Sequence, residues 1–65
     1  MSNISLPPIF LRLRDVERMT GLSATSIYRL AESGDFPKPV KIAARASAWR
    51  YTDLTEWANT RKTAQ

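Results

Sequence analysis

Hydroxyl, phenol and guanidinium side chains are concentrated in one short stretch of the sequence. They are Ser23, Thr25, Ser26, Tyr28 and Arg29. A guanidinium matches the two hydrogen-bond acceptors on guanine, and small hydroxyl side chains hydrogen-bond bases or offer a methyl group to thymine. Tyr28 and the backbone N–H groups beside Ser23 suit phosphate oxygens. These residue types predict contact with DNA, provided that a rigid element presents them to the duplex.

A second group of polar residues is a cluster of cations. Between Phe36 and Arg50 the chain carries Lys38, Lys41, Arg45 and Arg50, and no acidic residue. A block of one sign in a short segment is typical of an electrostatic contact with a polyanion. A solvated sheet edge protected by lysine gives the same pattern. The cluster alone favours neither interpretation.

The amino-acid composition excludes several functional classes of protein. The chain has 65 residues, a net charge of +4 and a pI near 10.1, and it contains neither cysteine nor histidine. A chain of this size forms one domain that buries only about 60% of its unfolded surface, so a deep substrate pocket is not expected. Without cysteine and histidine, disulfides, thiolate metal sites and the commonest general base are excluded. We expect a protein that is not an enzyme and that binds no cofactor, metal ion or small-molecule ligand.

Hydropathy predicts where the chain resides. No apolar run approaches the ~20 residues that a membrane span requires. The first residues also lack the basic and apolar regions of a signal peptide. We therefore expect a cytoplasmic protein that is associated with the nucleoid and not with a membrane.

The first predicted helix runs from about Arg14 to Thr20. Apolar spacing gives it an inward face, made of Leu13, Val16, Met19 and Thr20, and an outward face, made of Arg14, Glu17 and Arg18. Leu13 stands where a capping hydroxyl is preferred, so this helix starts weakly. Gly21 suits the left-handed conformation that closes a helix.

The second predicted helix has stronger boundary signals. Ser23 can accept a hydrogen bond from the first-turn N–H groups. Leu22 can pack on Ile27 as a hydrophobic staple, and Gly34 ends the helix. Two short helices around a tight turn are typical of a helix-turn-helix, whose second helix enters the major groove.

The buried position of Ile27 fixes which side chains the second helix exposes. At ~100° per residue, Thr25 and Arg29 point outward while Ser26 and Tyr28 lie on the flanks. Arg29 is the main candidate for reading guanine, although an outward arginine is often only solvated. Tyr28 either reaches a phosphate or lays its ring over the first helix.

The segment after Gly34 is the least certain part of the sequence pattern. Residues 39–42 and 49–51 alternate between apolar and polar residues as short strands do. The alanine-rich residues 43–48 between them contain no Gly, Asn or Pro and favour a helix by propensity. Local sequence therefore leaves a hairpin and a helix equally open.

The last predicted helix begins at Thr52, which would cap it, with Asp53 in the first turn. Leu54, Trp57 and Ala58 form its apolar stripe. A small domain has few large side chains to bury. We therefore expect Phe10, Phe36 and Trp49 in the core as well as Trp57.

These segments together resemble the AlpA family of small phage and prophage regulators, which is related in fold to MerR-type proteins and to excisionases. The resemblance covers about Leu11 to Arg61. It rests on the segments Met19-Thr20-Gly21-Leu22-Ser23, Ser26-Ile27-Tyr28-Arg29-Leu30, Phe36-Pro37-Lys38-Pro39-Val40-Lys41-Ile42 and Ala48-Trp49-Arg50.

The resemblance implies a mainly α, MerR-like winged helix-turn-helix with a small β-hairpin. The hairpin, residues 40–51, would form the wing, with Trp49 buried beneath it. Lys41, Arg45 and Ser47 would contact phosphates or the minor groove, and Arg50 would reach a phosphate or brace the hairpin. The long dimerising helix and the effector domain of MerR regulators are not expected.

The expected organisation is a flexible arm over residues 1–9, a DNA-binding domain over residues 10–62 and a frayed end over residues 63–65. The expected function is that of a sequence-specific DNA-binding transcriptional regulator of prophage type. An alternative is an excisionase that bends attachment-site DNA and recruits integrase. A lower alternative is a protein-interaction adaptor. The expected partner is double-stranded DNA, with integrase or further copies of the chain on adjacent sites as additional partners.

Overall fold

The computed structural model describes Leu6 and residues 8–64. Along the chain the elements are β1 (Phe10–Leu11), α1 (Leu13–Thr20), α2 (Ala24–Ser33), β2 (Val40–Ala43), β3 (Ala46–Arg50) and α3 (Tyr51–Asn59). The strands form one antiparallel sheet in the order β1-β3-β2. Three helices and a small sheet make a winged helix-turn-helix, as predicted. Of the predicted arm, residues 1–5 and 7 lie outside the described residues, as does Gln65 at the predicted frayed end.

Two glycines set the geometry of the helix-turn-helix. Gly21 ends α1 with φ 79°, and Gly34 ends α2 with φ 89°. The N–H groups of Gly34 and Asp35 donate to the carbonyls of Ala31 and Leu30 at 3.2 and 2.8 Å, which is the Schellman arrangement. The predicted ends of both helices are confirmed. The start of α1 differs, since Leu13 is its first helical residue and Arg12 precedes it without a side-chain cap.

The hairpin of β2 and β3 is the wing, and it confirms what the family resemblance implied. Val40 pairs with Ala48 and Lys41 with Ser47, and the register then shifts by one residue before the turn at positions 44–45. Helix propensity distinguishes alanine from ordinary residues by only a few tenths of a kcal/mol each. Burial of Trp49, which is 1% exposed, is worth about 2 kcal/mol or more. The free energy of burying Trp49 therefore outweighs the helix propensity of the alanines, and the segment forms a strand.

The sheet has a third strand that the sequence pattern did not predict. In β1, Phe10 pairs with Arg50 and Leu11 with Trp49. The N–H of Tyr51 also donates to the carbonyl of Ile9 at 2.9 Å. A strand of two residues is too short to show an alternating pattern, so it could not be recognised from the sequence.

The core lies between the sheet and the three helices. Its buried side chains are Leu11, Val16, Ile27, Ala31, Phe36, Trp49 and Leu54. Leu13, Leu22, Leu30, Tyr51 and Trp57 pack against this cluster from its edge. In the described part of the chain, the longest helix has ten residues, and none is long and apolar enough to span a bilayer.

Two residues predicted to be buried are exposed. Phe10 is 40% exposed, because successive residues of a strand face opposite sides and Leu11 takes the inward position. Met19 is 57% exposed. At the end of α1, Thr20 turns inward instead, where its hydroxyl donates to the Val16 carbonyl at 2.7 Å and accepts from the Leu22 N–H at 3.1 Å.

The start of α3 also differs from the prediction. The helix begins at Tyr51, so this residue is not part of the preceding strand and Thr52 is not the cap. Asp53 lies in the first turn as predicted and forms an ion pair with Arg50 at 3.6 Å. Trp57 is half-buried at the edge of the core, whereas Ala58 is exposed.

Candidate nucleic-acid interface

Helix α2 presents its polar residues to solvent. Ile27 and Ala31 are buried on its inner face, while Thr25, Tyr28 and Arg29 are exposed on the other side. The outward orientation predicted for Thr25 and Arg29 is therefore confirmed. Their contact with DNA stays a prediction.

Two side chains occupy the N-terminus of α2. The Ser23 hydroxyl accepts from the Ser26 N–H at 3.2 Å and donates to the Ser26 hydroxyl at 3.1 Å. The Glu17 carboxylate accepts from the Ala24 N–H at 2.9 Å. The prediction that Glu17 points away from the fold is wrong, because it crosses from α1 to cap α2. A carboxylate thus competes with a phosphate for the backbone groups beside Ser23.

Tyr28 packs toward the sheet. Its ring centroid lies 5.9 Å from that of Trp49, with the ring planes tilted by 51°. Tilted aromatic pairs at this distance attract each other. The residue is still 49% exposed. The Tyr28 side chain therefore extends from α2 toward the wing. The phosphate contact of its hydroxyl stays a prediction.

The predicted wing residues fall into two groups. Lys41 and Ser47 are cross-strand partners, and Arg45 occupies the turn next to them; all three are exposed. Arg50 lies at the opposite end of β3, about 16 Å from Arg45 at ~3.3 Å per residue. Its guanidinium forms an ion pair with Asp53 of α3 at 3.6 Å, and its contact with a phosphate or bracing of the hairpin stays a prediction.

A polar groove of about 600 Å³ lies where α1, α2 and the wing meet. The side chains important for its chemistry are those of Arg12, Arg14, Glu17, Tyr28, Arg45 and Ser47. Arg12 and Arg14 were not among the predicted site residues. The sequence indicated only that Arg14 faces outward, and its approach to the wing depends on tertiary packing.

Two indole groups hold the loop between α2 and the wing. Trp49 Nε1 donates to the Pro37 carbonyl at 2.8 Å, and Trp57 Nε1 donates to the Asp35 carbonyl at 2.7 Å. The ring of Phe36, between these two carbonyls, packs edge-on against Trp57 with centroids 4.7 Å apart. These contacts fix the wing relative to α2. A surface made of both elements is therefore preorganised.

The described residues include no group of three or more Asp, Glu, His or Cys side chains that could hold a metal ion. The chemistry available at the surface of α2 and the wing is hydrogen bonding by hydroxyls and guanidiniums, together with positive charge. This combination is suited to an anionic polymer.

Comparison with known proteins shows similarity to a protein family and to a phage protein. A family model described as prophage CP4-57 regulatory protein (AlpA) matches residues 9–62. The chain is also 38% identical over 48 residues to the uncharacterized protein ORF88 of Enterobacteria phage P4, an alignment that covers 74% of this chain and 54% of the relative. The chain therefore spans about half the length of that curated relative.

Proposed function

Because the chain belongs to the AlpA family of prophage regulatory proteins, we propose that it regulates transcription by binding a specific DNA sequence. Helix α2 enters the major groove, and the wing contacts the backbone beside it. The observation that carries this proposal is the exposure of Thr25 and Arg29 on a helix that is anchored by the buried Ile27.

The residues divide into those that read sequence and those that supply affinity. Arg29 and Thr25 stand where they can contact base edges, and a bidentate arginine–guanine pair discriminates by about 1–3 kcal/mol. Lys41 and Arg45 stand on the wing, where phosphate contacts give affinity without sequence information. In this proposal the protein acts by binding DNA alone.

Selection from a random duplex library tests the proposal. The wild-type protein should enrich one sequence and retard it in a gel shift at moderate salt. Arg29→Ala should weaken binding to the selected duplex by about 5- to 150-fold, which corresponds to 1–3 kcal/mol, and should relax the preference at one base pair. The matched control is Arg18→Ala, because Arg18 is an exposed helical arginine on α1 that pairs with Asp15 at 3.8 Å.

Each outcome separates the proposal from its alternatives. If Arg29→Ala keeps the affinity and base preference of the wild type, α2 is not part of the DNA interface. Retardation of no duplex even at low salt would favour the protein-interaction adaptor. Footprinting should show a site over a promoter, whereas several tandem sites in a recombination arm would contradict the regulator and favour an excisionase.

A further inference from the structure

We infer that the groove between α1, Tyr28 and the wing binds one phosphodiester of the DNA backbone, with Arg12 and Arg14 as ligands that join Arg45. This inference rests on the proposed function and adds a contact that lies outside the predicted reading helix. The groove brings together side chains from Arg12, from α1, from α2 and from the wing.

The groove concentrates positive charge. Three arginines line it, Arg12, Arg14 and Arg45, against one acidic residue, Glu17. The ion pairs found among the described residues join Arg18 to Asp15 and Arg50 to Asp53. The three arginines of the groove are therefore not neutralised by a paired carboxylate in that part of the chain.

Glu17 limits this charge without cancelling it. Its carboxylate is held at the base of α2 by the Ala24 N–H at 2.9 Å. This bond fixes the carboxylate toward the helix end, whereas the arginines extend from the start of α1 and from the turn of the wing. Glu17 therefore positions α2 and at the same time opposes the binding of an anion nearby.

The shape and donors of the groove fit a phosphodiester in a polymer. Guanidiniums bind phosphate oxygens through paired N–H donors, and the hydroxyls of Ser47 and Tyr28 offer further donors. Tyr28 is 49% exposed, so its aromatic side chain offers an apolar surface for the adjoining deoxyribose. The groove is open, and its described lining is mainly polar, so it suits a continuous backbone better than an enclosed small molecule.

A phosphate in this position would set the register of the complex. Tyr28 lies one residue from Arg29 on α2, and Ser47 pairs with Lys41 on the wing. A backbone contact between these two elements fixes how deep α2 enters the major groove relative to the wing. Contacts of this kind position a protein on DNA and carry no sequence information.

The salt dependence of binding tests the inference. The double variant Arg12→Ala/Arg14→Ala is titrated with a 20-bp duplex of mixed sequence and with the selected duplex, between 50 and 200 mM salt. Loss of one phosphate contact should lower the slope of log K against log salt by about 0.9 and weaken binding about five- to tenfold for both duplexes. The preference between the two duplexes should not change.

Two further variants make the test specific to the groove. Arg18→Ala removes a cation from the same helix outside the groove and should leave the slope unchanged. Glu17→Gln keeps an acceptor for the Ala24 N–H and removes the negative charge, so it should tighten binding about two- to fivefold. Circular dichroism of each variant establishes that the helices remain.

The outcomes distinguish this inference from the proposed function. If the wild type binds duplex and the double variant matches Arg18→Ala in slope and affinity, the groove assignment is overturned while the role of α2 stands. A folded double variant that loses the sequence preference itself would also overturn it, since a backbone contact carries none. If the wild-type protein binds no duplex, the proposed function and the groove assignment are both overturned.

Discussion

Ser23 and Glu17 hold the same end of α2 in different ways. Ser23 is a local cap three residues from its donor, whereas Glu17 crosses from α1 to accept from Ala24. The first bond fixes where the helix begins, and the second fixes the angle between the two helices. Both act on the residues that the proposed function places in the major groove.

Replacing Ser23 by alanine should lower the free energy of unfolding by about 1 kcal/mol, because the Ser26 N–H loses its acceptor. Thr52→Ala is the matched control. Thr52 is exposed within the first turn of α3 and does not cap it, so its loss should cost less than about 0.5 kcal/mol. Urea unfolding followed by circular dichroism measures both. If the two variants lose the same free energy of unfolding, the Ser23 cap does not stabilise the fold.

The sequence predicted the contacts and burial of some residues and not of others. The Ser23 cap and the buried Ile27 follow from local spacing, and the structure confirms both. The Glu17 bond and the position of Arg12 in the groove depend on the packing of α1 against α2 and the wing. Periodicity within one helix carries no information about such packing.

At the scale of elements, the loop between α2 and the wing controls the relative position of the two proposed DNA-contacting parts. It starts at Gly34, whose φ of 89° turns the chain away from the helix axis. The indoles of Trp49 and Trp57 then hold its carbonyls at 2.8 and 2.7 Å. A change at either end of the loop should therefore affect the wing as well as α2.

Gly34→Ala should lower the free energy of unfolding by about 1–2 kcal/mol, since an L-residue is strained in the left-handed region. Steric overlap does not add to this cost, because a Cβ at this position meets no described heavy atom within 4 Å. Thermal unfolding measures the effect. Gly34→Asn is the control and should cost less, because asparagine tolerates this conformation better. An alanine variant as stable as the wild type would contradict the role given to the glycine.

The elements also show where sequence patterns stop being sufficient. Glycines, the serine cap and apolar spacing predicted both helices of the helix-turn-helix within one residue of their ends. The alanine-rich wing was not decided by propensity, because its strand is stabilised by the burial of Ala48 and Trp49. The family resemblance predicted it instead. Strand β1, with two residues, was missed.

At the scale of the whole molecule, few buried side chains support the fold, and β1 contributes one of them. Leu11 is buried beside Trp49, its cross-strand partner. A domain of this size is stabilised by only about 3–10 kcal/mol in total. Each core residue therefore accounts for a large part of the stability.

Leu11→Ala should lower the free energy of unfolding by about 2–5 kcal/mol, because it leaves a cavity against the core. Leu6→Ala removes the same atoms from a side chain that is 81% exposed, and it should change stability by less than about 0.5 kcal/mol. Chemical denaturation of both variants provides the comparison. If both are as stable as the wild type, β1 is not part of the cooperative fold.

We propose that one surface, made of the outward face of α2 and the wing, binds DNA. The most direct measurement is an NMR titration of the isotope-labelled chain with the selected duplex, followed through every backbone amide and arginine side chain. The largest shifts should fall on residues 23–29 and 41–47, with smaller changes at Arg12 and Arg14. Shifts confined to the exposed residues of α3 around Glu56 and Asn59, or no shifts on adding duplex, would contradict this proposal.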